Sequence, residues 1–206
     1  MESSFPLLFA AVVGFGHAFE ADHLVAVGNI VTKRDRLKLA IKDGIYWGLG
    51  HTSTIFLIGL IIIVGKATFL NGYFGYFEAV VGFMLVVLGI FRLYQYFNHK
   101  HQPHHLMDAK DNHHLAYGVG LVHGLAGSGA MVLLVMTEIQ SSLSSMIYLA
   151  IFGIGSAIGM LVAAGIFSLP FSKKLASNKN IQLALILLSS LLCIGYGAYV
   201  IIENLG

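Results

Sequence analysis

Apolar residues run along this chain in six long stretches, roughly Phe5–Val31, Gly44–Val64, Tyr73–Phe97, Leu115–Glu138, Ser144–Leu169 and Ile181–Ile202. Each is about 20 residues or more, the length a helix needs to cross a hydrocarbon layer about 30 Å thick. Lipid offers no water to satisfy backbone polar groups, so spans of this kind are expected to be helical. The pattern predicts an all-α, polytopic membrane bundle of six transmembrane helices, with no intervening stretch large enough for a separate soluble domain. One stretch is interrupted. Between the uncharged flanks Phe5–Gly16 and Leu24–Val31, the run His17-Ala18-Phe19-Glu20-Ala21-Asp22-His23 places two imidazoles and two carboxylates at membrane depth. A carboxylate there costs at least about 2.5 kcal/mol, so such groups normally face a bundle interior and mark an ion path.

Composition agrees with a membrane protein throughout. The chain is 57% hydrophobic and 11% charged, with a mean hydropathy of +0.80, whereas soluble domains carry about a quarter charged residues. Glu2 is the only charge ahead of His17, and without a basic leading region the first span is expected to be retained rather than cleaved as a signal peptide. No nucleic-acid partner is expected, and the net charge of +2 says little by itself, but the placement of the charges carries information. Lys33, Arg34, Arg36, Lys38 and Lys42 follow span one, Arg92, Lys100 and Lys110 lie at or beyond the end of span three, and Lys173, Lys174 and Lys179 follow span five. Lys66 alone falls on the opposite side. Basic residues mark the cytoplasmic face, which predicts an integral plasma (inner) membrane protein with both termini outside and loops 32–43, 98–114 and 170–180 in the cytoplasm. Tyr46, Trp47, Tyr94 and Tyr96 sit at that same interface as an aromatic belt would. The single cysteine, Cys193, has no partner for an intramolecular disulfide and reads as buried packing.

Sequence features recur between the two halves. Gly14-x-x-His17 answers Gly120-x-x-His123, Gly48-x-Gly50 answers Gly153-x-Gly155, and Gly89 answers Gly195, all at an offset of about 106 residues. This predicts a duplicated three-helix unit. Because three is odd, the second unit would insert inverted, an architecture that places transporter sites at the repeat interface. The expected division is a single membrane domain over 1–206, with repeat one at 1–97, a loop at 98–114 and repeat two at 115–206. Small-xxx-small spacings such as Gly44-xxx-Gly48, Gly120-xxx-Gly124 and Gly155-xxx-Gly159 suit close helix packing. Glycines beside the histidines could alternatively break helices and open backbone to an ion.

Four histidines fall inside spans. On an ideal helix His17, Glu20 and His23 share a face roughly 120° wide, while Asp22 points away from it. Asp22 then either orients a histidine as an outer partner, as carboxylates commonly do at metal sites, or lies where the helix is unwound. Counted at about 1.5 Å per residue, Glu20, His23, His51 and His123 lie in one layer, with His17 slightly further out. The candidate metal ligands are therefore His17, Glu20, Asp22, His23, His51 and His123. A lone intramembrane histidine such as His51 or His123 also serves as an interhelical hydrogen-bonding group. Glu78 and Glu138 lie near outer ends and read as interfacial. A second group, His99, His101, His104, His105, His113 and His114, falls within sixteen residues of the loop between spans three and four. It is either a polar linker or a weak metal buffer on the cytoplasmic side.

The run HAFEADH resembles the R-H-A-x-D-A-D-H signature of the nickel/cobalt transporter family, with Glu20 in place of its first aspartate and Gly16 in place of its arginine. Gly50-His51-Thr52-Ser53 is similar to that family's Gly-His-Ser/Thr motif in span two. His123-Gly124-Leu125-Ala126-Gly127-Ser128 resembles the HGLAGS run of its smaller, UreH-like (urease accessory) branch. The L-G-F-D-T-type motif of the larger permeases is missing, and there are six predicted spans rather than eight. The resemblance implies nickel or cobalt as transported substrate, with His17, Asp22, His23 and His51 at matching functional positions. It implies no permanent cofactor, and partners limited to the metal ion, the lipid bilayer and cytoplasmic metal-delivery proteins.

Histidine nitrogens suit nickel, copper, zinc and iron alike, so the expected preference for nickel, with cobalt second, comes from the resemblance. The chain is expected not to be an enzyme. A thiol-electron carrier would need cysteines where His17 and His123 stand. Ala126-Gly127-Ser128-Gly129 lacks the first glycine of a serine-protease motif, and the last span lacks a histidine base. A membrane-embedded metallohydrolase and a nickel/cobalt exporter driven by proton antiport remain as alternatives. A divalent cation entering a negative-inside cell gains about 4.6 kcal/mol per 100 mV, which favours uptake.

Overall fold

The computed structural model describes residues 5–31, 34, 37–65, 72–98, 113–126, 141–169 and 179–206. Among these residues there are seven α-helices: α1 (Phe5–His17), α2 (Ala21–Val31), α3 (Leu37–Gly65), α4 (Phe74–Asn98), α5 (His114–His123), α6 (Ser142–Ser168) and α7 (Lys179–Leu205). The helices α3, α4, α6 and α7 run for 25 to 29 residues, about 38–44 Å at 1.5 Å per residue. These four are long and apolar enough to cross a membrane, and the bent pair α1 and α2 makes a fifth if counted as one span. The fourth apolar stretch contributes α5, ten residues long, and its continuation from 127 onward, with Glu138, lies outside the described residues. Large apolar side chains such as Leu8, Val12, Phe83, Ile90, Ile154, Leu191 and Ile202 are exposed on the outer faces of their helices. That much apolar surface suits lipid rather than water, and the chain is an integral membrane protein.

The first apolar stretch is not one continuous helix. It breaks at residues 18–20, where α1 and α2 meet at a bend of 56°. Phe19 N–H donates to Gly16 O (2.9 Å) and Glu20 N–H to His17 O (3.1 Å), closing short turns that end α1. Leu24 N–H then donates to Glu20 O (2.9 Å), and His23 N–H donates to Asp22 Oδ1 (2.8 Å). A carboxylate in the first turn also favours a helix start through its attraction to the exposed N–H groups. The shared face derived from an ideal helix is accordingly replaced by a corner: His17 ends one helix and His23 begins the next.

Glycines set the packing. A Cβ at Gly14 would strike the Phe152 carbonyl, and one at Gly155 the Ala11 carbonyl, so α1 and α6 touch backbone to backbone. A Cβ at Gly120 would strike the Trp47 carbonyl, and one at Gly50 the Tyr117 carbonyl, which brings α5 equally close to α3. Between α3 and α6, Gly48 packs on Ala157, and Thr52 Oγ1 donates to Gly153 O (3.0 Å). Helices α4 and α7 approach through Gly82 and Gly197, each facing the other's carbonyl. Association in lipid relies on such close van der Waals contact because burying apolar surface gains little there. The short α2 lies among α3, α4, α6 and α7. Its buried residues Ala26, Val27, Ile30 and Val31 join a core that includes Trp47, Leu85, Leu88, Val119 and Met160.

At the start of α3 a second polar group is buried. Asp43 accepts from Arg34 Nε (2.5 Å) and Nη2 (2.8 Å), and its Oδ1 lies 2.7 Å from His113 Nδ1. His113 precedes α5, is buried, and stacks on Tyr46 with ring centroids 4.9 Å apart. This network fastens the connection after α2 and the entry to α5 onto one carboxylate. Within the loop histidine group, His113 is thus a buried partner of Asp43 and His114 is exposed, while His99, His101, His104 and His105 lie outside the described residues.

Candidate metal centre

Four helix ends and faces bring the intramembrane histidines together. His17 comes from the last residue of α1, His23 from the first turn of α2, His51 from the middle of α3 and His123 from the last residue of α5. All four are buried. Ring centroids are 4.5 Å apart for His17 and His23, 5.2 Å for His23 and His51, 5.3 Å for His17 and His51, and 4.6 Å for His23 and His123. The break between α1 and α2 produces this convergence, because it turns His23 back toward the helix that carries His17.

The nitrogens have an ordered arrangement. His51 Nε2 lies 3.4 Å from His17 Nε2 and 3.3 Å from His23 Nε2. Behind them, His17 Nδ1 is 2.9 Å from Glu20 Oε1 and His23 Nδ1 is 2.9 Å from Asp22 Oδ1. A carboxylate accepts from a protonated Nδ1, which leaves the Nε2 lone pair free to bind a cation and raises its basicity. Glu20 is well exposed, its side chain 58% accessible, and among the described residues it pairs with His17, whereas the less accessible Asp22 also presents Oδ2 to His123 Nε2 at 3.5 Å. The candidate ligands therefore fall into two sets, His17 with His23 and His51, and Asp22 with His23 and His123. Within each set the ligand atoms lie within 4.8 Å of one another.

Aromatic walls close the site. Phe152 lies 5.5 Å from His17, and Trp47 lies 5.6 Å from His23 and 6.0 Å from His123, centroid to centroid. Trp47 is 1% exposed, so it belongs to the site rather than to the interfacial belt in which the sequence suggested it. The available signal was its position one helical turn before His51. Among the described residues, the buried His51 Nδ1 and His123 Nδ1 have no hydrogen-bond partner. Buried polar groups are normally paired, and unpaired ring nitrogens within one buried histidine cluster fit a site that receives a cation. Ser128, at the end of the HGLAGS run, lies outside the described residues.

A polytopic helical membrane protein with a buried histidine–carboxylate cluster is the class that this fold and site define. The chain is 34% identical over 178 residues to the urease accessory protein UreH of Bacillus sp. (strain TB-90), covering 81% of this chain and 77% of that protein. It is 32% identical over 200 residues to a protein described as a nickel/cobalt efflux system in Methanocaldococcus jannaschii, covering 93% and 90% respectively. A shorter match, 32% over 98 residues, is to the nickel transporter NixA of Staphylococcus aureus, covering 42% of this chain and 28% of that protein. No family model and no solved structure matches the chain. The chain belongs to the nickel/cobalt transporter family, in its UreH-like branch.

Proposed function

We propose that this protein is a transporter, not an enzyme, and carries divalent transition-metal ions across the membrane through the cluster of His17, Asp22, His23, His51 and His123, with Glu20 supporting His17. The carrying observation is the approach of three Nε2 atoms from three helices in a buried site. Nickel is the preferred substrate and cobalt the second. A site of imidazoles and carboxylate suits both and discriminates against magnesium and calcium, which prefer all-oxygen shells. The relatives described as a nickel transporter and a nickel/cobalt efflux system support that choice.

The architecture we propose is six spans in two inverted three-helix repeats. Reciprocal packing supports it: Gly14 meets Phe152 as Gly120 meets Trp47, and Gly155 meets Ala11 as Gly50 meets Tyr117. Both His17 and His123 end a helix and accept through their carbonyls from the residue three further on, at 3.1 and 3.3 Å. The basic residues favour a cytoplasmic location for loops 32–43, 98–114 and 170–180, with both termini outside. The histidines of the 98–114 loop, apart from His113, act as a weak cytoplasmic metal buffer that hands ions to delivery proteins.

Transport runs inward, driven by the membrane potential. Export by proton antiport is the second reading, favoured by the description of the M. jannaschii relative. Purified protein in liposomes should accumulate nickel under an imposed inside-negative potential with no pH gradient. Accumulation that depends instead on an antiport-directed proton gradient establishes export. Flux that survives both His17→Ala and His23→Ala removes the assignment of the site.

A further inference from the structure

We propose that the cluster comprises two alternative metal stations sharing His23, and that an ion is handed from one to the other; this rests on the transport reading above. Station one is His17, His23 and His51, an all-nitrogen set. Station two is Asp22, His23 and His123, two nitrogens and a carboxylate oxygen. The two sets have only His23 in common.

Ligand geometry supports two stations. Two nitrogens bound to one tetrahedral ion at about 2.0–2.1 Å stand about 3.3–3.4 Å apart. The observed Nε2 separations of 3.4 and 3.3 Å around His51 match that edge, so station one needs little rearrangement. His123 Nε2 and Asp22 Oδ2, at 3.5 Å, form a similar edge in station two. Asp22 serves both: its Oδ1 braces His23 and its Oδ2 faces His123. Two divalent ions at such close quarters repel strongly, and His23 cannot serve both stations through one nitrogen, so occupancy is exclusive.

The chemistry changes along this path. Station one selects for borderline transition metals through three imidazoles. Station two exchanges two of those nitrogens for one imidazole and one carboxylate oxygen, weakening selectivity while adding negative charge. A permeation path needs binding strong enough to admit the ion and weak enough to release it. The break at 18–20 supplies the moving part, because α2 carries Asp22 and His23 together on a hinge whose other arm ends at His17.

The test uses the full chain, with Co2+ visible absorption in detergent to read the ligand set and Ni2+ flux in liposomes to read transport. His123→Ala should keep Co2+ affinity within about threefold of the unsubstituted protein, with a station-one spectrum, while flux falls at least about tenfold. His51→Ala should lose at least about tenfold in affinity and show a residual spectrum with fewer nitrogens. His123→Gln, which keeps the side chain's bulk, replaces His123→Ala if the alanine variant does not elute as a single species. With the loop histidines His99, His101, His104, His105 and His114 replaced, the binding stoichiometry should be one ion per chain. Equal loss of affinity in the His51 and His123 variants, unchanged flux without His123, or two ions bound per chain in that loop-substituted protein would each overturn the proposal. If the unsubstituted protein moves no nickel while the two variants bind cobalt as stated, the transport reading fails and the pair of stations stands.

Discussion

Replacing Gly124 with alanine isolates the contribution of one close backbone approach to the site. Gly124 caps α5 with φ −65° and ψ −14°, a conformation open to any residue, so alanine meets no backbone penalty there. The obstacle is space. A Cβ at Gly124 would stand 2.5 Å from the His51 carbonyl oxygen and 2.8 Å from Thr54 Cβ. Restoring ordinary contact near 3.5 Å requires α5 and α3 to separate by about 1 Å. Overpacking of that size costs about 1–3 kcal/mol. His123 adjoins the substituted residue, so its 3.5 Å approach to Asp22 would open with the helix. Misplacement by about 1 Å can lower a rate by about 10²-fold. The control lies on the same helix: a Cβ at Gly118 meets nothing within 4 Å, and alanine there gains up to about 1 kcal/mol in helix propensity. Nickel flux into liposomes and thermal unfolding in detergent, measured on both variants, should separate them clearly. Gly124→Ala matching the unsubstituted protein in flux and melting would refute the argument that glycine contacts set the site's geometry.

Three further outcomes follow from the contacts. Asp43→Ala leaves Arg34 and His113 without their shared carboxylate and should cost about 3–5 kcal/mol, read as a lowered melting temperature; an unchanged melting curve would show that the buried network contributes nothing. Asp22→Asn, which disturbs two histidines, should reduce nickel affinity by about 10–100-fold, whereas Glu20→Gln, on an exposed side chain touching one, should reduce it less; the reverse order in equilibrium dialysis would contradict the assigned roles. Replacing His99, His101, His104, His105 and His114 together, with His113 kept, should alter metal accumulation and leave flux through the membrane site intact, so complete loss of flux with normal folding would place the primary site in the loop.

Much of this geometry was legible because depth in a membrane can be counted. Residue counts from the apolar boundaries place His23, His51 and His123 in one layer, and their rings lie at 4.6 and 5.2 Å from that of His23. The helical wheel turned Asp22 away from His17 and His23, which left it either to orient a histidine or to lie where the helix is unwound, and the chain does turn at 18–20. With the turn in place, Asp22 reaches both His23 and His123. Trp47 was misread because an aromatic near a span boundary has the same local sequence context whether it faces lipid or a neighbouring helix. The pairing of Asp43 with Arg34 and His113 is tertiary, joining residues 9 and 70 positions apart in the chain, and no local pattern announces it.

The packing of α1 on α6 also bears on how the protein is made. Gly14 rests on Phe152, so the first helix waits for a surface synthesised roughly 140 residues later, about 7–28 s at ordinary translation rates. Through that interval Glu20, Asp22 and two histidines sit at membrane depth without the backbone that later encloses them, each a burden on insertion. The contact between α5 and α3 forms earlier, since Gly120 and Trp47 lie closer in the chain. Assembly should therefore begin in the middle, with α1 captured once α6 emerges and α4 joined later still by α7. A nascent chain stalled before α6 is the species most exposed to membrane quality control.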